Sequence, residues 1–238
     1  MRLPWAKGRK NTKRNEKIVS LRQNISIMKR FQTILIVIPL ICALWTLMGY
    51  GKIYGYGVSA LCGIILCLAY GRNIKKDAWL IVAAFLLSMI GDWFLINRKG
   101  IPVRFIYGII FYFMAHLGYL WFSLKNGKIR KWILSCTLLV YLSFFLLIIF
   151  PTMDSTVLTA AVLCYLLVSC ISFAAATGIR FPTLPKWLFI AGITFILISD
   201  TIIAFKEFAG YNNLNFLIMP TYYFSHIMMT LALVRNVK

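Results

Sequence analysis

Long apolar runs recur along almost the whole chain, and they constrain the fold more than any other feature of the sequence. A helix needs about 20 apolar residues to cross the roughly 30 Å hydrocarbon core of a bilayer. Eight runs are near this length: residues 31–49, 56–71, 77–96, 103–123, 131–150, 156–177, 187–206 and 215–234. The second run is short and carries three residues that weaken it, Tyr56, Gly57 and Gly63, so seven spans remain an alternative.

The composition agrees with a chain that lies mainly in a membrane. Hydrophobic residues make up 61% of the sequence, and the mean hydropathy of +0.81 is far above that of soluble domains. We therefore predict an all-α, polytopic transmembrane helical bundle of about eight spans over residues 31–238. The connecting loops are short, so the chemistry of this chain is expected within the membrane.

Lysine and arginine are distributed unequally between the two ends of the predicted spans. Counted with alternating sidedness, 21 of the 26 basic residues fall on the side that carries the N-terminus and the C-terminus. Because short cytoplasmic loops are enriched in Lys and Arg, both termini are predicted to be cytoplasmic. The predicted location is the cell membrane, with multiple passes.

A basic arm over residues 1–30 contributes much of the formal net charge of +20. Ile18, Leu21, Ile25 and Met28 recur at helical spacing between basic residues, a pattern that predicts an interfacial helix leading into the first span. Anionic membrane lipid is the expected partner of this arm and of the cytoplasmic loops. The charge therefore requires no nucleic acid to explain it.

Asp92 and Asp200 lie inside apolar runs, in SMIGDWFLI and ILISDTIIAF, and are two of only six acidic residues in the chain. A carboxylate at membrane depth costs about 2.5–3.5 kcal/mol on insertion scales, so such residues usually mark a functional site. The alternative is a structural hydrogen bond between helices. We predict that both carboxyl groups have catalytic roles and lie toward the outer boundary of the bundle.

The fourth run carries one of the two histidines of the chain. His116 lies on one helical stripe with Tyr112 and Tyr119, at spacings of i, i+4 and i+7. We predict that His116 and Tyr119 contact a substrate. The alternative is that the imidazole bridges helices and the tyrosine rings serve packing.

The eighth run carries the second histidine, His226, one turn from Tyr222 and Tyr223. Ser199 precedes Asp200 in the seventh run. Ser199, Tyr222, Tyr223 and His226 are also candidates for substrate binding. The alternative is that they serve contacts between helices. At about 1.5 Å per residue, both histidines lie deeper in the bilayer than the aspartates.

Four segments, LLSMIGDWFLI, FYFMAHLGYLWF, FILISDTIIAF and TYYFSHIMMTLAL, occur in this order in the third, fourth, seventh and eighth runs. They resemble blocks of the lysoplasmalogenase family of eight-span membrane proteins, the YhhN-like group. The resemblance extends over most of the chain after residue 31. It implies hydrolysis of the vinyl ether bond of lysoplasmalogens to a fatty aldehyde and glycerophosphoethanolamine or glycerophosphocholine, with Asp92 and Asp200 in the active site.

The residues suit that chemistry independently of the resemblance. A vinyl ether hydrolyses through protonation of its β-carbon and attack of water on the resulting oxocarbenium ion, which requires an acid and an anionic stabiliser. Two carboxyl groups in unlike environments can divide these roles, by analogy with glycosidases. The sequence does not distinguish which aspartate is the acid. A lysophospholipid substrate and no cofactor are predicted.

Two other functions remain open from the sequence. The two aspartates and two histidines have the residue types of a zinc site, although no H-x-x-x-H or H-x-x-E-H spacing occurs. A proton-coupled transporter could use the aspartates as a relay, and broken helices would then be expected beside the site. Pro220, six residues before His226, could kink the eighth span.

Overall fold

The computed structural model describes residues 34–48, 53–70 and 77–236, all of which belong to helices or their connections. The predicted interfacial helix and the rest of the basic arm lie outside these residues. The helices are α1 (Val37–Leu47), α2 (Ile53–Tyr70), α3 (Ala78–Ile96), α4 (Pro102–Asn126), α5 (Lys131–Phe144), α6 (Thr156–Thr177), α7 (Thr183–Ala209) and α8 (Asn215–Asn236).

The helices follow the apolar runs, which confirms the predicted all-α membrane fold. Within the described ranges, six helices are long and apolar enough to span a bilayer, from α3 to α8. The apolar parts of α1 and α2 are shorter, at Val37–Leu47 and Gly57–Ala69. The number of spans is therefore roughly the predicted eight, and the chain is a multi-pass membrane protein. The sidedness of its termini stays a prediction.

The end of α5 departs from regular α-helix. A wide π-helical turn, Phe145–Ile149, is followed by a 3₁₀ turn, Phe150–Thr152, that contains Pro151. Proline lacks a backbone N–H and its ring crowds the preceding turn, so an α-helix rarely continues through it unchanged. With these turns, the apolar segment reaches the 22 residues of Lys131–Thr152.

The helices pack around two groups of buried apolar side chains. The larger group joins α1, α2, α3, α4, α7 and α8, with Ala176 from the end of α6. The smaller joins α4, α6 and the π-helical turn, and α5 packs against it. The most extensive helix pairs are α7 with α8, α3 with α4, and α4 with α6. Helices α4 and α6 therefore belong to both groups, and their contact joins the two parts of the bundle.

Glycines allow close approach between α7 and α8 and between α3 and α4. A Cβ atom on Gly192 of α7 would lie 2.9 Å from the backbone oxygen of Ser225 on α8. On α4, a Cβ atom at Gly118 would lie 3.0 Å from the backbone oxygen of Leu80 on α3. Small residues at helix contacts permit close backbone packing in membranes, where helix association depends on van der Waals contact.

The α4–α5 and α6–α7 connections pair with each other at one end of the bundle. Gly127 and Ile179 form an isolated antiparallel bridge, and Arg180 donates its backbone N–H to the oxygen of Asn126 at 2.8 Å. A Cβ atom at Gly178 would come within 1.8 Å of the backbone oxygen of Lys128. This contact leaves no room for a side chain.

Gly178→Ala is expected to lower the thermal stability of the purified protein, because the backbone of one connection must move. Overpacking of this kind typically costs about 1–3 kcal/mol. Gly57→Ala is the matched control, since a Cβ atom at Gly57 meets nothing within 4 Å. The melting temperature in detergent checks both variants, and equal melting temperatures would contradict the proposed packing.

Candidate active site

A cavity of about 780 Å³ opens at the end of the bundle that carries the α3–α4 and α7–α8 connections. Its walls come mainly from α3, α4, α7 and α8, with Thr46 contributed by α1. Arg98, Lys206 and Glu207 lie around its mouth, and Asp92 and Asp200 line it one to two helical turns deeper. The volume falls within the usual range of small-molecule sites.

Asp92 lies on α3 and is held by tyrosines from two other helices. The hydroxyl of Tyr112 on α4 donates to Oδ1, and the hydroxyl of Tyr222 on α8 donates to Oδ2 at 2.9 Å. Both carboxyl oxygens therefore have a hydroxyl partner. This arrangement fixes the orientation of Asp92 at the junction of α3, α4 and α8.

Gly91 lets the Tyr112 ring approach Asp92. A Cβ atom at Gly91 would lie 3.2 Å from two ring carbons of Tyr112 and 3.3 Å from the backbone oxygen of Gly108. Because Gly91 directly precedes Asp92, the space next to the carboxyl group is filled by the tyrosine instead of by a side chain on α3. The close approach of the Tyr112 ring thus explains why a glycine precedes Asp92.

Asp200 lies on α7 and has a different set of partners. The hydroxyl of Tyr165 on α6 donates to Oδ2 at 2.6 Å. The Nε2 atom of His116 is 3.1 Å from the Tyr165 hydroxyl oxygen and 3.4 Å from Oδ2 of Asp200. The aspartate, the tyrosine and the imidazole therefore form one polar cluster between α4, α6 and α7.

The hydrogen-bond pattern indicates which nitrogen of His116 carries the proton. Tyr165 has one hydroxyl hydrogen, which goes to Asp200, so its oxygen must accept from an Nε2–H group. Nδ1 is buried and has no hydrogen-bond partner among the described residues. A buried lone pair without a partner is better tolerated than a buried N–H, which agrees with the Nε2–H tautomer.

The structure brings most of the predicted site residues to one cavity. Ser199, Tyr222 and Tyr223 line it together with the two aspartates. Ser199 also donates its hydroxyl to the backbone oxygen of Ile218 at 3.1 Å, which ties α7 to α8. The substrate contacts predicted for these residues stay predictions, and their positions are compatible with such contacts.

The other three predicted residues lie in the interior of the bundle. His116 reaches the cavity through the Tyr165–Asp200 cluster. The Tyr119 ring packs edge-on against the His116 ring, with the ring centroids 5.7 Å apart. His226 is fully buried, with Nδ1 3.0 Å from the backbone oxygen of Tyr222. Its ring centroid lies 4.6 Å from that of Tyr222. His116 and His226 thus lie next to side chains that line the cavity, and Tyr119 packs against His116.

Several residues around the cavity were not among the predicted site residues. Tyr165 stands in the apolar stretch LCYLLVSC, where no acidic or histidine residue marks it. The sequence places Tyr112 on the His116 stripe but gives it no role of its own. Arg98, Lys206 and Glu207 lie near predicted span ends, where charged residues are common, so their convergence could be seen only in the fold.

The sequence left a zinc site as an alternative, and the described residues do not supply a set of ligands for it. Within the residues that the structure describes, no group of three or more His, Cys, Asp and Glu side chains has the geometry to hold a metal ion. Asp200 and His116 lie together, whereas Asp92 has tyrosine partners.

The comparisons with known proteins identify the family of this chain. A model of the YhhN family matches residues 55–233, a range that includes all of α3 to α7 and most of α2 and α8. No curated protein and no solved structure matches the chain. With well over half of its length matched, and as its sequence segments predicted, the chain belongs to the YhhN family, which includes lysoplasmalogenases.

Proposed function

We propose that this membrane protein is a hydrolase that cleaves the vinyl ether bond of lysoplasmalogens. The observation that carries the proposal is the presence of Asp92 and Asp200 in one ligand-sized cavity within the helical bundle, each with different partners. Membership of the YhhN family supports a hydrolase of this type. The products are a fatty aldehyde and a glycerophospho-alcohol.

Asp200 is the anionic stabiliser in this proposal. Its Oδ2 atom accepts a hydrogen bond from the Tyr165 hydroxyl, and the His116 ring that donates to Tyr165 lies 3.4 Å away. A hydrogen bond to a carboxylate oxygen is charge-assisted, so Tyr165 holds Asp200 in place for this role. A carboxylate at this position can stabilise the positive charge of the oxocarbenium ion, because such interactions are strong where water is largely excluded.

Asp92 is the proton donor. Its two partners are hydroxyl groups, which can accept a hydrogen bond as readily as they donate one. A protonated Asp92 therefore remains compatible with Tyr112 and Tyr222, while both tyrosines keep the carboxyl group in place. The two aspartates thus have unlike surroundings, which is the condition for dividing acid and stabiliser roles.

The reaction proceeds in three steps. Asp92 transfers its proton to the β-carbon of the vinyl ether, and the C=C electron pair forms the new C–H bond, leaving an oxocarbenium ion beside Asp200. Water adds to the α-carbon, and one of its protons returns to the Asp92 carboxylate. The hemiacetal hydroxyl then loses its proton as the C=O bond forms and the C–O bond to glycerol breaks, and the glycerol oxygen takes up a proton to leave as the alcohol.

The continuity of the helices favours hydrolysis over proton-coupled transport. Transporters of the kind considered from the sequence use broken helices at the substrate site. In this structure, α3 and α7 run without interruption past Asp92 and Asp200, and α8 continues through Pro220. The helices that carry the two aspartates and the two tyrosines of Asp92 are thus continuous at the site.

A panel of matched lysolipids tests the proposed function. Purified protein is incubated with lysophospholipids that carry the same chain through a vinyl ether, a saturated ether or an ester bond. Mass spectrometry then follows free aldehyde, alcohol and fatty acid. Aldehyde from the vinyl ether alone is the expected result. Fatty acid release from the ester with no aldehyde would overturn the proposal in favour of another lipid hydrolase.

Gly91→Ala is expected to lower the rate of aldehyde release measurably, by up to about tenfold, with little loss of stability. The added methyl group would meet the Tyr112 ring at 3.2 Å and displace it by a few tenths of an ångström from Asp92. Misplacement of a positioned group by about 1 Å can reduce rates about 100-fold, so this smaller shift should cost less.

Gly63→Ala is the control for this variant, because its added Cβ atom would make only an ordinary contact, 3.9 Å from Val82. Initial rates at saturating substrate measure the effect on turnover. Wild-type turnover in Gly91→Ala would show that the Tyr112–Asp92 contact does not matter for the reaction.

A further inference from the structure

The mouth of the cavity carries a mixed-charge cluster formed by Arg98, Lys206, Glu207 and Asn215. Arg98 donates to Oε2 of Glu207, and the Lys206 ammonium is 3.8 Å from the other oxygen, Oε1. The side chains of Arg98 and Lys206 are 37% and 43% exposed, whereas that of Glu207 is 18% exposed. We call these four residues the rim cluster.

We propose that the rim cluster binds the headgroup of the substrate, with Arg98 and Lys206 on a phosphodiester and Glu207 and Asn215 on a primary ammonium group. This inference rests on the proposed function and specifies its substrate class, lysoplasmalogens with an ethanolamine headgroup. Two cations and one anion leave a formal charge of +1, which complements the single negative charge of a phosphodiester.

Asn215 presents an acceptor that is already oriented. The amide of Asn212 donates to the backbone oxygen of Gly210 at 3.2 Å, so its own oxygen is the acceptor. That oxygen receives the Asn215 amide N–H at 2.9 Å. The Oδ1 atom of Asn215 is consequently left over, buried and without a hydrogen-bond partner among the described residues. A buried acceptor of this kind calls for a donor.

Glu207 provides a second acceptor for an ammonium group. Arg98 occupies Oε2, while Lys206 stays beyond hydrogen-bonding distance of Oε1. A primary ammonium has three N–H donors and can bond both Glu207 and Asn215. A trimethylammonium group has no N–H donor and is typically bound by aromatic faces. At this rim, the face of Phe105 is covered by Arg98, at 5.1 Å from the ring centroid.

The spacing between the aspartates and the rim cluster matches the substrate. Lys206 follows Asp200 by six residues of α7, a rise of about 9 Å. In a lysoplasmalogen, seven bonds separate the reacting β-carbon from the phosphorus, about 8 Å when extended at the span per bond of a polypeptide backbone. Four further bonds, about 5 Å, reach the nitrogen. A headgroup at the rim therefore places the vinyl ether beside the aspartates.

The test compares lysoplasmenylethanolamine with lysoplasmenylcholine of the same chain, using the full-length protein in detergent. The wild type is expected to have at least about a tenfold higher kcat/KM for the ethanolamine lipid. Glu207→Gln and Asn215→Ala should each reduce this preference severalfold, mainly through KM. Lys206→Met should raise KM for both lipids alike, and Lys99→Met, which removes an exposed cation of the α3–α4 connection, should change neither.

Equal or higher kcat/KM for the choline lipid in the wild type would overturn the proposal. So would an equal loss for both lipids in the Glu207 and Asn215 variants. If neither lipid yields aldehyde, the proposed function fails separately, and binding of the saturated-ether analogues by equilibrium dialysis decides the rim cluster. Tighter binding of the ethanolamine analogue, lost in Glu207→Gln, supports the headgroup site, and equal binding of both analogues refutes it.

Discussion

Asp92→Asn and Asp200→Asn should each reduce aldehyde release by at least about 100-fold without unfolding the protein. The amide keeps the shape of the carboxyl group but cannot donate a proton to carbon or carry a negative charge. Positioned acid–base groups typically contribute about 100- to 10,000-fold to a rate. Turnover of lysoplasmenylethanolamine by purified variants, with melting temperatures measured alongside, gives the comparison.

Asp154→Asn is the matched control for both variants, because Asp154 is exposed in the connection before α6. It should retain the turnover of the wild type. The two site variants should also respond differently to added small molecules: formic acid should partly restore Asp92→Asn, and a small anion such as azide should partly restore Asp200→Asn. Near-wild-type turnover in either site variant would remove that aspartate from the mechanism.

Tyr165→Phe is expected to have the second largest effect, a loss of about 10- to 100-fold in turnover. The variant removes the hydroxyl that donates to Asp200 at 2.6 Å and with it the oxygen that accepts from the His116 N–H. Hydrogen bonds to charged groups contribute about 1.5–3 kcal/mol, and each 1.4 kcal/mol corresponds to a factor of ten.

Tyr141→Phe provides the comparison for Tyr165→Phe. Tyr141 also presents its hydroxyl to α7, but its partner is the hydroxyl of Thr201, at 2.9 Å, and not the neighbouring aspartate. Its removal should leave turnover within about twofold of the wild type. Because Tyr165 and His116 share one cluster, Tyr165→Phe and His116→Gln should be non-additive in the double variant. Equal effects of the two tyrosine variants would contradict a special role for Asp200.

The fold was predictable because the strongest constraint acts on each helix separately. Every span must hide its backbone polar groups from lipid, so the apolar run itself predicts the helix. The described bounds of α6 coincide with the predicted 156–177, and those of α3 differ from 77–96 by one residue. The apolar parts of α1 and α2 are less distinct, as the short second run with its glycines indicated.

The polar surroundings of Asp92 and Asp200 were predictable for the same reason, since a carboxylate inside an apolar run is unfavourable without polar partners. Their neighbours were harder to foresee. Tyr165 is one aromatic residue among many in the spans, and only the packing of α6 against α7 brings it to Asp200. The rim cluster likewise joins residues more than 100 positions apart, such as Arg98 and Glu207.

Depth separates the two kinds of predicted site residue. The aspartates line the cavity, whereas His116 lies behind Asp200 and Tyr165, and His226 lies behind Tyr222. A sequence can show that an imidazole lies on a span. It does not show whether other side chains stand between that imidazole and the cavity, because this depends on helix rotation and packing.

The most direct test of the proposed chemistry is hydrolysis of lysoplasmenylethanolamine by the wild-type protein in D₂O. Protonation of the β-carbon by Asp92 requires that the aldehyde carry one deuterium at its second carbon, because the carboxyl proton exchanges with solvent. The aldehyde is reduced at once to its alcohol, which prevents later exchange, and is analysed by mass spectrometry. One deuterium at that carbon is the expected result, and aldehyde without deuterium there would contradict acid-catalysed cleavage.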